Sequence, residues 1–270
     1  MGEAINTGDI ELWTERRGQG PDVLLIAGLG DPAEAWQPQL DGLSDRYLLT
    51  AFDNRGAGRT PLSEGRRLSA TAMADDAAAL LRALEVPSAH VAGFSMGSAI
   101  AQELALRHPG LVRSLGLVGT YASPDALWRS QLNFWRWLVE VAPSERAFLE
   151  GFFTWVYTPR AHADGTVAEI IEEAMAFPHK QSVEAFQAQV DVCIEHDTKD
   201  RLPQIAAPTL VVSGELDTIL PPRFGRSVAA GIPKARFEVM PGEAYQPFQE
   251  IPEEFNALVE EFWREVEAQG

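Results

Sequence analysis

One pentapeptide combines a nucleophile with the backbone freedom to present it: Gly93-Phe94-Ser95-Met96-Gly97. It follows the apolar run Ala89–Phe94 and leads into a helical pattern, Ser95–His108. A strand that turns at once into a helix forces its middle residue into a strained conformation, so the residues two away on either side must lack bulk. The Ser95 hydroxyl would then stand above the sheet at a helix N-terminus, where partial positive charge favours a developing oxyanion. That is equipment for acyl transfer through a serine ester. The plainer alternative is a packing turn with a capping serine, and the strand-before, helix-after setting argues against it. A second cluster, Gly28-Leu29-Gly30, could cradle a phosphate. No G-x-G-x-x-G continues it, and no ribose-binding acid is in evidence.

The elements around the pentapeptide set its context. Short apolar runs recur at Ile10–Arg17, Asp22–Ala27, Leu48–Asp53, Ala89–Phe94, Ser114–Gly119, Thr209–Ser213 and Arg236–Met240. Gly18-Gln19-Gly20-Pro21 turns the first run into the second. Helical patterns lie between them at Ser69–Leu84, Ser95–His108, Pro222–Ala230 and Pro252–Glu267. This alternation predicts an α/β fold with a mostly parallel central sheet flanked by helices. Between Tyr121 and Asp200 the strand signal stops, and that stretch carries most of the tryptophans. A strand-free insertion inside an alternating pattern predicts a helical cap over 122–200, set above the strand ends where ligands bind in open sheets. Residues 1–121 and 201–270 are then the two parts of the core.

Composition narrows the partners. The 270 residues carry 22 Lys and Arg against 39 Asp and Glu, a net charge of −17. Such a surface repels phosphate backbones and anionic lipid, so neither nucleic acid nor membrane is an expected partner. No apolar run approaches the ~20 residues needed to cross a bilayer. Met1-Gly2-Glu3-Ala4 has neither the basic start nor the apolar stretch of a signal peptide, and Thr7 and Asp9 give Gly2 no support as a myristoylation site. The single cysteine, Cys193, cannot form an internal disulfide, and a buried inert thiol is its expected state. A cytoplasmic monomer or homodimer acting on a small molecule is the expectation. No H-x-x-x-H or carboxylate-rich cluster appears, so neither a metal nor another cofactor is expected.

With these elements in place the chain resembles the α/β-hydrolase superfamily, in its capped esterase and lactonase branch, including the 3-oxoadipate enol-lactonase type. The resemblance spans essentially the whole chain. Ala27-Gly28-Leu29-Gly30 matches the oxyanion loop, with Ala27 where a histidine is usual, and Asp53–Thr60 matches an Asp-x-x-Gly-x-Gly-x-Ser turn. Ser213–Asp217 with Pro221-Pro222 matches the segment carrying the acid, and Pro241–Pro247 the segment carrying the base. The resemblance implies that Ser95 is the nucleophile and Asp217 the carboxylate that orients a base, rather than a helix-capping acid. It also implies an oxyanion hole from the backbone N–H groups of Leu29 and Met96.

Tyr245 is the decisive departure, because it stands where the family places its catalytic histidine. A tyrosine with a pKa of ~10 is about one part in a thousand ionised at neutral pH, and cannot readily take and return the serine proton. Of the histidines, His90 and His108 fall on the far side of the sheet from the chemistry. His162, His179 and His196 fall in or near the cap, with His179 the best placed of a poor set of replacement bases. The cap aromatics are mostly core at helical spacing. Gly28, Trp36, Trp128, Trp135 and Trp155 are the candidates for contact with an apolar substrate. Three readings of Tyr245 stay open: a serine esterase or lactonase disabled at its base; a non-hydrolytic enzyme using Tyr245 as acid or hydrogen-bond donor; and a non-catalytic binder of a small ligand.

Overall fold

The computed structural model describes residues 2–62, 65 and 67–269, so Met1 and Gly270, the expected ends of the core, lie outside the described residues. Its strands are β1 (Glu3–Asn6), β2 (Glu11–Gly18), β3 (Asp22–Ile26), β4 (Leu48–Phe52), β5 (Ala89–Phe94), β6 (Val112–Val118), β7 (Thr209–Gly214) and β8 (Ala235–Met240). They form one sheet in the order β1-β2-β4-β3-β5-β6-β7-β8. β1 and β2 run antiparallel to their neighbours, and every later pairing is parallel. The seven apolar runs all become strands. β1 is additional: its four residues are mostly exposed at the sheet edge, so no buried face imprints a pattern on Glu3-Ala4-Ile5-Asn6.

Among the core helices, α1 (Gln37–Leu43) precedes β4, α2 (Ala70–Ala83) precedes β5, and α3 (Met96–Arg107) follows it. α2 starts where the Ser69 hydroxyl accepts from the Ala72 N–H, an N-cap that satisfies one orphan amide. Five helices lie between β6 and β7: α4 (Ala126–Val141), α5 (Glu145–Val156), α6 (Pro159–Asp164), α7 (Thr166–Ala176) and α8 (Val183–Glu195). Asp125, Ser144, Thr158 and Ser182 cap four of these with side-chain hydrogen bonds. After β7 come α9 (Pro222–Gly231), α10 (Pro247–Glu250) and α11 (Pro252–Glu267).

The five-helix insertion is tied to loops that leave the carboxyl ends of strands. From α8, Gln189 accepts from the Gly30 N–H at 2.9 Å and donates to the Arg55 carbonyl at 2.8 Å. Gln181 donates to the Gly56 carbonyl at 2.7 Å. At the other end, the Tyr245 N–H donates to the Val156 carbonyl at 3.2 Å, and the Tyr157 hydroxyl reaches Gln246 and Gln249. Strand loops after β3, β4 and β8 are thereby joined to one helical layer. No helix among the described residues is long and apolar enough to cross a membrane.

Close backbone approach at the β5–α3 turn depends on its glycines. A Cβ on Gly97 would stand 2.1 Å from the Ile26 carbonyl oxygen, and one on Gly93 2.2 Å from the Gly97 carbonyl oxygen. Both obstacles are backbone, which cannot swing aside. Gly97→Ala is therefore expected to lower unfolding stability by about 2–3 kcal/mol, read from the midpoint of urea denaturation. An unchanged midpoint would show that α3 can withdraw from β3 without cost.

Candidate active site

Ser95 sits at the turn from β5 into α3 with φ 55° and ψ −118°, one of two non-glycine residues with positive φ among those described. Its strain is held from several sides. The Ser95 N–H donates to the Val118 carbonyl, and its own carbonyl accepts from the Ser98 N–H at 2.9 Å and the Ser98 hydroxyl at 2.6 Å. Behind it, Ser98 and Gln102 both donate to the Thr120 hydroxyl, and Thr198 donates to the Gln102 side chain. Met96 is the first residue of α3, so its N–H has no acceptor within the helix. Across from it lies the loop containing Leu29. The buried Asn54 side chain donates to the Ala27 carbonyl at 3.0 Å and steadies that loop where a histidine is usual in the family.

Asp217 and Tyr245 reach the same place from β7 and β8. A Cβ on Gly214 would stand 1.8 Å from the Ala244 carbonyl oxygen, so the two loops pack backbone on backbone. The Oδ1 atom of Asp217 accepts from the Ile219 and Leu220 N–H groups, each at 2.8 Å. Its Oδ2 is buried and has no hydrogen-bond partner. Burial pushes the carboxyl up to about 7, against the pull of those two amides. Tyr245 is 4% exposed, with its ring tilted on Phe94 at 4.6 Å and wedged beside Gly119. Its hydroxyl donates a hydrogen bond to the Ser95 Oγ. Burial raises the phenol well above its usual value; the Ser95 bond opposes this, and the Asp217, Cys193 and Asp31 charges reinforce it. The phenol is neutral and is a donor to the serine.

Ser95 is hydrogen-bonded to no histidine among the described residues. His90 is buried on β5 against Ser114 at 2.7 Å, and His108 is held by Asp75 at 2.7 Å. His162 approaches the Phe153 carbonyl, and His179 packs edge-on to Phe177 at 5.7 Å. His196 is buried against Tyr121, and burial pushes it down to about 4, so it is neutral. Cys193 is buried as well, and burial pushes its thiol up to about 12. No group of three or more His, Cys, Asp or Glu suited to a metal ion occurs among the described residues.

A cavity of about 410 Å³ is lined by Leu29 and Asp31 and walled by phenylalanines that include Phe148, Phe152 and Phe186, while Ser95, Asp217 and Tyr245 are not among its lining residues. Four of the expected contact residues are placed elsewhere. Trp36 is fully buried on Phe248 at 4.5 Å. Trp128 and Trp135 pack edge-to-face at 5.1 Å in the core, because the α4 face that carries them with Leu132 is its buried face. Trp155 lines a second cavity of about 670 Å³, with Leu216, Thr218 and Ala244. Gly28 lies against Asp31 and Phe94, too tightly for a Cβ. Sequence reasoning passes over Asp31, which burial pushes up to about 7 while the Gly28 amide pulls the other way. Its signal was an acid two residues beyond Leu29, in a loop otherwise apolar.

The fold and this site define one class. The α/β-hydrolase fold family matches residues 21–245, and the chain belongs to that family. It is 32% identical to "Putative carbamate hydrolase RutD" of Azorhizobium caulinodans, over 96% of this chain and 97% of that protein. It is also 32% identical to "Putative non-heme bromoperoxidase BpoC" of Mycobacterium tuberculosis, over 96% of this chain and all of that protein. Among solved structures it resembles a thermophilic esterase from Thermogutta terrifontis, with a TM-score of 0.86 and 27% identity over 98% and 99% of the two chains.

The Asp217 carboxyl has a testable energetic signature. Its folded pKa lies above the unfolded value of about 4, so the native state holds an extra proton between about pH 4 and pH 7. Stability therefore falls as pH rises through that window. Asp217→Asn removes the penalty and still offers an acceptor to Ile219 and Leu220. The variant is expected to exceed the parent in denaturant stability by on the order of 1–3 kcal/mol at about pH 8, and to match it near pH 4. A difference that does not change with pH would count against a buried, unpaired carboxylate.

Proposed function

We propose that this chain is a serine hydrolase of small, apolar carboxylic esters or lactones, acting through an acyl-Ser95 intermediate and impaired because Tyr245 occupies the place of the catalytic base. One observation carries the reading: the Tyr245 hydroxyl is bonded to the Ser95 Oγ while the Asp217 Oδ2 beside it has no partner. The vacant oxygen is what a base with a second N–H would engage. The helical insertion serves as the cap, and Leu29, which lines the phenylalanine cavity, links that cavity to the oxyanion position in this reading.

In this mechanism the Ser95 Oγ bonds to the acyl carbon. The carbonyl oxygen takes up the negative charge, opposite the N–H groups of Leu29 and Met96. Collapse expels the alcohol oxygen, which must gain a proton, and water then repeats the sequence to release the acid and regenerate Ser95. Both halves need a group that accepts a proton from one oxygen and gives it to another. A neutral phenol donating to the Ser95 Oγ engages a lone pair of the nucleophile and takes no proton from it. Loss of the base in a triad costs on the order of a million-fold in turnover, with roughly 10³–10⁴ over water left to the oxyanion hole and binding.

The same bond supports a second reading, in which Tyr245 acts as acid or hydrogen-bond donor in non-hydrolytic chemistry. Burst-phase hydrolysis of a short p-nitrophenyl ester separates the two. Tyr245→His is expected to raise turnover by about 10³-fold or more. Ser95→Ala should abolish both the burst and the turnover. No gain from the histidine variant, provided it is folded, would sink the hydrolase reading in favour of the second.

A further inference from the structure

We propose that the phenylalanine cavity recognises a substrate bearing an ammonium group, with the aromatic rings around the cation and Asp31 as its counter-ion. The proposal rests on the hydrolase reading only in taking this cavity as the substrate pocket.

Three observations carry it. The wall combines ring faces in two orientations: Phe148 stacks parallel to Phe152 at 5.6 Å and meets Phe186 edge-on at 5.4 Å. Phe148, Phe152, Phe153, Phe177 and Phe186 line a volume of this size, and a compact cation is attracted to a ring face, the more so when both are desolvated. Asp31 lines the same cavity as these rings and Leu29. Asp31 is half-buried and makes no ion pair among the described residues, and desolvation raises its pKa to about 7 against the pull of the Gly28 amide. A carboxylate kept in an apolar wall without a cation is costly unless a ligand brings one. The third observation is the net charge of −17, which concentrates cations at the surface and disfavours anions.

The other charged groups on the wall do not reverse this. Lys180 is bound to Glu145 at 2.9 Å and to the Ala174 and Met175 carbonyls at 2.6 and 3.1 Å, so its charge is already matched. His179 lines the cavity beside Phe177. Tyr157 and Tyr245 lie near enough to Asp31 for its charge to help hold both phenols protonated.

An isosteric pair tests the proposal without any turnover: (3-hydroxyphenyl)trimethylammonium and 3-tert-butylphenol, each titrated calorimetrically into the intact chain. At about pH 8, with Asp31 ionised, the cation is expected to bind about tenfold more tightly than the neutral compound. The preference should collapse at about pH 5.5, where Asp31 is protonated, and at about pH 8 in Asp31→Asn. Should Asp31→Asn fail to fold, the pH arm on the unmodified chain and Phe148→Leu, which should weaken the cation more than the phenol, serve instead. Equal binding of the pair at about pH 8, or a cation preference that survives both Asp31→Asn and acid, would overturn the proposal. A cation preference that persists while Tyr245→His stays inactive supports it and isolates the failure to the hydrolase reading.

Discussion

Everything at this site depends on how closely β5, α3 and β3 approach one another. The absent Cβ atoms of Gly93 and Gly97 let backbone meet backbone at the turn, and that contact holds Ser95 in its left-handed conformation. Such a conformation costs on the order of 1–3 kcal/mol and persists only where the surroundings over-determine it. Here the Val118 carbonyl, the Ser98 hydroxyl and the relay through Thr120, Gln102 and Thr198 do so. The polar layer beneath the elbow is fully buried, and its members satisfy one another, so it restrains the turn without exposing it to water.

Around that fixed point the electrostatics are governed by desolvation. Asp217, Asp31 and Tyr245 are all shifted toward their protonated forms, and burial is the largest cause in each case. Two backbone amides on Asp217 do not outweigh the removal of water. A histidine beside such a carboxyl would share the burden as an ion pair or hydrogen-bond partner. Tyrosine shares nothing with it, because its hydroxyl is committed to Ser95. The site is thus built of three groups that are easily kept neutral together and hard to charge together.

Much of this was legible in the sequence, for reasons that differ from residue to residue. Five of the seven apolar runs, those of β3 to β7, stand out because parallel strands are buried on both faces and leave continuous apolar tracts. Ser95 could be located because the geometry of its turn dictates two glycines at fixed offsets. Edge strand β1 and the short helices α1 and α10 leave no such imprint, being brief and partly exposed. The tryptophans misled because size and apolarity mark core and pocket alike, and only packing distinguishes Trp128 in the core from Phe148 on the wall. Asp31 stayed hidden because nothing in its residue type records that its surroundings lack a cation.

Gln189 has a mechanical consequence. Its amide faces two ways, with the oxygen on the Gly30 N–H and the nitrogen on the Arg55 carbonyl. Both ends are thereby used, and swinging α8 outward would strand two backbone groups at once. α5, by contrast, faces the cavity mainly through rings that slide past one another at little cost in directed bonds. The helical layer is therefore latched on the α8 side at two backbone groups of separate loops, and on the α5 side only near its C-terminal end, where the Val156 carbonyl accepts from Tyr245; α8 thereby keeps the loop bearing Leu29 close to the rest of the layer.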